Sequence, residues 1–373
     1  MTVPPSRTGS PPAVRAGRRG PDRTSKISDA RYALVLGGLA AALVVSTLLA
    51  ISLGTVDVPL GHSWRIVASH LLPGSVEPVW TSTEETIVWT FRMPRALLAI
   101  LVGAGLALVG AVLQAVVRNP LADPYLLGIS SGASFGAVSV LVLGSAAFGG
   151  LTLSAAAFAG AMLAAGLLYL LARRFGGLSP LRLVLAGVAL DYLFRAAYSY
   201  VLQQATFGQA YATVLFWLLG SLGAARWELL PIPAVTILLG LVLLLVQARP
   251  LNALLAGEET AVALGVNLTR LRTALFVVTA VMVGVMVAVS GAIAFVGLIV
   301  PHVCRMIVGA DHRRLLPVAA LTGATFLQVA DLASRLVDKP REQPLSIITA
   351  VVGVPFFLWL LRREGRGSRL SVA

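Results

Sequence analysis

Apolar stretches long enough to cross a membrane recur along almost the whole chain, and no soluble fold accommodates that pattern. Between Ala274 and Val308 the only formal charge is Arg305. That run holds about 35 residues, too many for one span of about 20. Gly291 offers it a place to turn. Charged residues make up 12% of the chain, half the share of an ordinary soluble domain, about 25%. The runs are rich in Leu, Ala and Gly and lack the strict alternation of a transmembrane barrel. The expected class is therefore an all-α, polytopic integral membrane protein.

Reading the runs in order predicts ten spans, at 32–53, 95–117, 125–144, 151–172, 182–203, 229–248, 273–290, 292–309, 315–334 and 345–362. A formal charge of +13 raises the question of nucleic acid, but the placement of the charges answers it. Most basic residues sit in short connections or tails. With a cytoplasmic N-terminus, 21 of them fall on the inner side and seven on the outer side, with Arg195 inside a span. That asymmetry satisfies the positive-inside rule and places both termini in the cytoplasm. The chain is expected in the cytoplasmic (inner) membrane, with lipid as a partner and no nucleic acid.

Residues 1–31 are rich in Pro, Arg, Ser and Gly and read as a disordered basic cytoplasmic tail. Residues 32–363 form the membrane domain, and 364–373 a cytoplasmic C-terminal tail. The first run is too long for a signal-peptide core and reads as a retained span. Two outer connections are long. Residues 54–94 carry Pro, Trp and mixed charge and suggest a partly structured cap. Residues 204–228 contain the apolar stretch Tyr211 to Leu219, either a short surface helix or part of a long tilted fifth helix.

The residues that carry chemistry are few. No two histidines stand at metal-ligand spacing with acidic company, so no metal site and no catalytic group is expected. There is no phosphate-binding G-x-x-x-x-G-K-[ST] loop, so this chain binds no ATP through such a loop. The lone Cys304 lies in an apolar run and reads as a small apolar side chain. Ionisable groups within spans are functional candidates by default. Asp191 and Arg195 stand four apart on one helix face, as a pathway lining or as a self-neutralising pair. Asp331 and Arg335 repeat the spacing near the outer end of the ninth span, where an outer-surface location is expected. Gly128, Gly132 and Gly136, with Ala157, Ala161 and Ala165, form small-residue stripes that let helices approach closely in lipid.

The inner segment from Arg249 to Gly265 is more specific. Gly257 and Gly265 bracket a short helix with Glu258 and Glu259 in its first turn, where the helix dipole favours acids. Ala261, Val262 and Leu264 offer apolar surface on a helix far too short to span. The shape suits docking of a partner. The two acids argue against a helix lying flat on anionic lipid.

Four segments in this order resemble the FecCD family of ABC-importer permeases. They are FRMPRALLAILVGAGLALVGAVLQAVVRNPLADPYLLGISSGAS, GEETAVALGV, SGAIAFVGLIVPHVCRMIVGADHRRLLP and PLSIITAVVGVPFFLWLL. The resemblance covers about residues 32–363. It implies a ten-helix, cobalamin-permease-like fold that works as a homodimer. Two separate cytoplasmic ATPase subunits would hold the ATP and magnesium, and an extracytoplasmic binding protein would deliver an iron-siderophore, haem or cobalamin. The segment Gly257, Glu258, Glu259, Ala261, Leu264 and Gly265 matches the ATPase-coupling helix. Arg92, Arg95 and Arg335 match arginines that meet acidic residues of the binding protein. Ser179 and Pro180 sit where family members close the inner gate, and Asp191 and Arg195 lie on the pathway-lining helix. The competing expectation is an ion-coupled secondary transporter, for which Asp191 is the fair candidate carboxylate.

Overall fold

A computed structural model describes residues 28–368, apart from 75, 175, 176 and 206–208. The disordered-tail expectation for residues 1–31 lies almost entirely outside the described residues. Helix α1 (Asp29–Ser52) starts where the Ser28 hydroxyl accepts the amide of Arg31, with Asp29 in the first turn. Its 24 residues span about 36 Å. A short helix α2 (Leu60–Leu71) follows. Helix α3 (Ser82–Glu85) opens on a reciprocal capping box between Thr81 and Glu84.

The second expected span begins earlier than the hydropathy suggested. α3 runs without a break through a π-helical stretch, Thr86–Arg92, into α4 (Met93–Val117). The expected span starts at residue 95, just after Pro94. Proline lacks an amide and clashes with the carbonyl four residues back. The wider π-turn ahead of it accommodates both defects, so the helix continues upstream. α4 is the buried centre of the bundle and ends at Arg118, in the left-handed conformation (φ 56°).

A 3-10 turn at Pro124–Leu127 leads into α5 (Ile129–Leu143), and α6 (Leu153–Ala172) follows on a Thr152 cap. Strands β1 (Arg173–Arg174) and β2 (Gly177–Leu178) pair antiparallel in a two-residue ladder. Helix α7 (Pro180–Gln203) starts on Pro180, whose missing amide needs no partner there. The stretch after it forms a separate short helix, α8 (Gln209–Leu218), rather than an extension of the fifth span. The order continues with α9 (Pro231–Val246), α10 (Ala248–Leu255), α11 (Glu258–Ala263), α12 (Leu268–Ser290), α13 (Val296–Val308), α14 (His312–Leu336) and α15 (Leu345–Ser368). The long run breaks at Gly291, as expected.

Each of the ten predicted segments falls on a helix. Six helical stretches are long and apolar enough to cross a membrane: α1, Ser82–Val117, α6, Trp227–Val246, α12 and α14. α5, α13 and Leu345–Leu360 of α15 are apolar but shorter. α7 has the length but carries Arg182, Asp191 and Arg195.

Glycine sets the tightest approaches. A Cβ on Gly110 would collide with the carbonyl of Gly297, and one on Gly103 with that of Gly323, so α4 lies backbone to backbone on α13 and α14. Gly132 and Gly136 meet Gly160 and Ala156 of α6 in the same way. Gly128 differs: at φ 71° it is the left-handed hinge that starts α5, set against Gly187 and Asp191 of α7.

Candidate functional site

The two ends of the bundle carry different chemistry. α1 and α14 run parallel. The carboxylate of Asp29 pairs with Arg314 at one end (2.6 Å). Arg335 reaches the last carbonyls of α1 at the other.

At the first end, α10 is clamped to the start of α14. The Asn252 amide nitrogen donates to Asp311 (2.6 Å), while its oxygen accepts from the amide of His312 (2.9 Å). Asp311 also caps α14 by accepting the amide of Arg313. Burial pushes the Asp311 carboxyl up. The hydrogen bonds from Asn252 and the Arg313 amide, with the nearby charges of Arg313 and His312, outweigh it and hold the group below its ordinary range.

The clamp supports α11. Gly257 (φ 121°) and Gly265 (φ 81°) adopt backbone conformations that L side chains resist, and together they fold this six-residue helix back on the bundle. Its exposed face carries Glu259, Val262 (58% exposed) and Leu264 (69%). Ala261 does not belong to that face. It is fully buried against the bundle, correcting the expectation that it offers apolar surface. Glu258 stays half-exposed, and its carboxylate accepts from Arg272 Nη2 at 2.6 Å. Arg272, counted in the sequence only toward topology, is 7% exposed. Its Nη1 reaches the carbonyl of Leu178 at 3.5 Å. Ser179, Pro180 and Arg272 border a cavity of about 10 Å³, room for roughly one water.

Halfway along α7, Asp191 and Arg195 form an ion pair at 2.7 Å. They border a polar pocket of about 80 Å³ with Tyr125, Ser130, Ser134 and Tyr198. The Ser130 hydroxyl is buried and finds no partner among the described residues. The Tyr125 hydroxyl accepts the amide of Ile293, tying this region to the break between α12 and α13.

At the opposite end, Arg92, Arg95 and Arg335 come together, but not as exposed groups. They are 6%, 9% and 4% exposed, so the expectation of exposed groups is corrected, for them and for the Asp331–Arg335 pair. Arg92 donates to the carbonyls of Ile51 (3.0 Å), Ser52 (2.6 Å) and Val56. Arg335 donates to those of Ala50 (3.1 Å) and Leu53 (3.2 Å). The end of a helix leaves its last carbonyls without partners, and its dipole favours cations there. Two guanidinium groups supply both. Asp331, 1% exposed, is bridged by Arg95 (2.9 Å) and Arg335 (3.2 Å). Arg95 also binds both oxygens of Glu342 at 2.9 Å. The three arginines border a pocket of about 270 Å³ that includes Phe91, Gly223 and Glu342. Against two carboxylates they leave one positive charge in excess.

No group of three or more potential metal ligands occurs among the described residues. Residues 42–363 match the model of the FecCD transport family. The chain is 45% identical to the cobalamin import system permease protein BtuC of Halobacterium salinarum, over 76% of each chain. It is 39% identical to the hemin transport system permease protein HmuU of Yersinia pestis, over 89% of this chain and 96% of that one. It is 38% identical to the uncharacterized ABC transporter permease protein YvrB of Bacillus subtilis, over 92% and 97%. Among solved structures it is similar to one described as an inward-facing conformation of a proposed metal-chelate type ABC transporter. The TM-score is 0.76 and the identity 33%, over 89% of this chain and all of that one.

Proposed function

The chain belongs to the FecCD transport family of ABC-importer permeases, and from that premise we propose that it moves a bulky metal chelate across the cytoplasmic membrane at a homodimer interface. The substrate class is an iron-siderophore, haem or cobalamin. Ten helices cross the membrane with both termini in the cytoplasm, in line with the arginine asymmetry. Two cytoplasmic ATPase subunits bind ATP and magnesium; the permease itself holds no cofactor and hydrolyses nothing.

The observation that carries this reading is α11, a six-residue helix projecting Glu259, Val262 and Leu264 between two left-handed glycines. Such a knob serves neither the bilayer nor the core, and a cleft in a partner would cover it. At the far end the arginine pocket has a residual positive charge and room for an acidic side chain of a binding protein. Charge of this kind steers and orients a partner more than it tightens binding. Between the two ends, α7 with Asp191 and Arg195 lines the pathway, and the turn at Ser179 and Pro180 closes it on the inner side.

The test is reconstitution of the permease in lipid with its cognate ATPase and binding protein. Substrate uptake is expected to require ATP and all three components. Uptake that survives ATP depletion but collapses with an uncoupler overturns the proposal in favour of an ion-coupled carrier.

A further inference from the structure

Arg272 touches both the projecting helix and the turn before α7. One arm of its guanidinium holds Glu258 on α11 at 2.6 Å, and the other faces the carbonyl of Leu178 at 3.5 Å. These partners belong to elements about 80 residues apart in sequence, joined through a single planar, rigid fork. The surroundings leave little slack. Leu178 is 5% exposed, and the space beside Ser179, Pro180 and Arg272 amounts to about 10 Å³. The Nε of Arg272 has no partner among the described residues, so the group is held through the ends of its fork. Close-packed interiors transmit displacement rather than absorb it.

We infer that Arg272 is a positioning residue that transmits movement of α11 to the turn at Ser179 and Pro180. The inference rests on the reading of α11 as the ATPase seat and of that turn as the inner gate. When a partner displaces α11, Glu258 moves, the guanidinium follows, and its hold on the Leu178 carbonyl is altered. The carbonyl lies two residues before the first residue of α7, so the effect enters the helix that carries Asp191 and Arg195.

The experiment uses the assembled permease and ATPase in lipid nanodiscs, with Ser179→Cys as reporter. The native thiol, Cys304, is fully buried. The rate of modification by a membrane-impermeant maleimide is compared with and without a non-hydrolysable ATP analogue, normalised to ATPase bound per permease. In the parent the rate is expected to change by about 5- to 150-fold, the usual size of coupling between sites. In Arg272→Gln the nucleotide effect is expected to fall below about twofold, and in Arg272→Lys to lie between, because a lysine offers a point charge in place of a fork. A full response in Arg272→Gln overturns the inference and leaves the proposed function standing. No response in the parent overturns the underlying reading itself. Should Arg272→Gln fail to assemble, Arg272→Lys decides: a reduced response supports the link, and an undiminished one refutes it.

Discussion

Arg92 and Arg335 divide the end of helix α1 between them: Arg92 takes the carbonyls of Ile51 and Ser52, and Arg335 takes those of Ala50 and Leu53. Four consecutive acceptors that a helix leaves open are closed by two side chains from other helices. The two arginines are not equivalent, however. Arg335 also holds the buried carboxylate of Asp331, whereas Arg92 donates to backbone carbonyls.

Replacing either residue should therefore give different losses. Arg92→Met is expected to destabilise by about 1–3 kcal/mol, the scale of charged hydrogen bonds lost from a buried site. Arg335→Met should cost more, about 3–5 kcal/mol, because Asp331 loses one of its two cations. Thermal unfolding in detergent ranks the pair, and amide exchange at residues 49–53 locates the effect. Unchanged exchange there would refute the capping role.

The paired glutamates of α11 should separate in the same manner. Glu259→Lys lies on the exposed face and is expected to change stability by less than about 0.5 kcal/mol while weakening ATPase capture. Glu258→Lys sets a second cation against Arg272 and should lower the melting temperature as well. Co-purification of the ATPase together with a melting curve reads both effects. Equal behaviour of the two variants would contradict the geometry.

Close helix approach predicts a sharp contrast between glycines. Gly110→Ala brings a methyl against the Gly297 carbonyl and should destabilise by about 1–3 kcal/mol. Gly166→Ala meets nothing within 4 Å and should be neutral or stabilising by about 0.5–1 kcal/mol, since it only removes backbone freedom from a helix. Comparing the two melting temperatures checks the packing.

The Asn252–Asp311 clamp should respond to acid. The folded Asp311 group sits below its ordinary value, so the stability it lends is present above the unfolded value of about 3.9 and is lost as pH falls through the folded one. Protection of the α10–α14 junction against proteolysis is expected to hold from neutral pH past that point and then fail. Asp311→Asn should remove the pH dependence. Failure already near pH 6 in the parent would point to another group.

Hydropathy made the helices legible because lipid demands long apolar runs, and all ten segments fall on helices. What it left unread depends on contacts remote in sequence. A charge beside an apolar run resembles an interfacial group, so Arg92 and Arg335 read as exposed. Only the fold brings the end of α1, some 40 residues upstream of Arg92, onto it. Ala261 was misplaced because six residues are too few for periodicity to settle which side faces in. Arg272 was missed because its partners, Glu258 and the Leu178 carbonyl, meet only when α11 folds back. The signal available was Arg272 itself, a charge just before a long apolar run with an acid 14 residues before it.

The π-helical stretch Thr86–Arg92 does more than accommodate Pro94. One residue of helix corresponds to a rotation of about 100°. Deleting a single residue there would restore ordinary winding and swing α3 and everything packed on it around the axis of α4. Trp89, stacked on His70 of α2 at 4.1 Å and tilted against Trp227 at 4.8 Å, would lose one neighbour or the other. The angular setting of α2 and α3 against α4 thus depends on a single amino acid. A one-residue change there re-aims α2 and α3 while α4 from Met93 onward keeps its place.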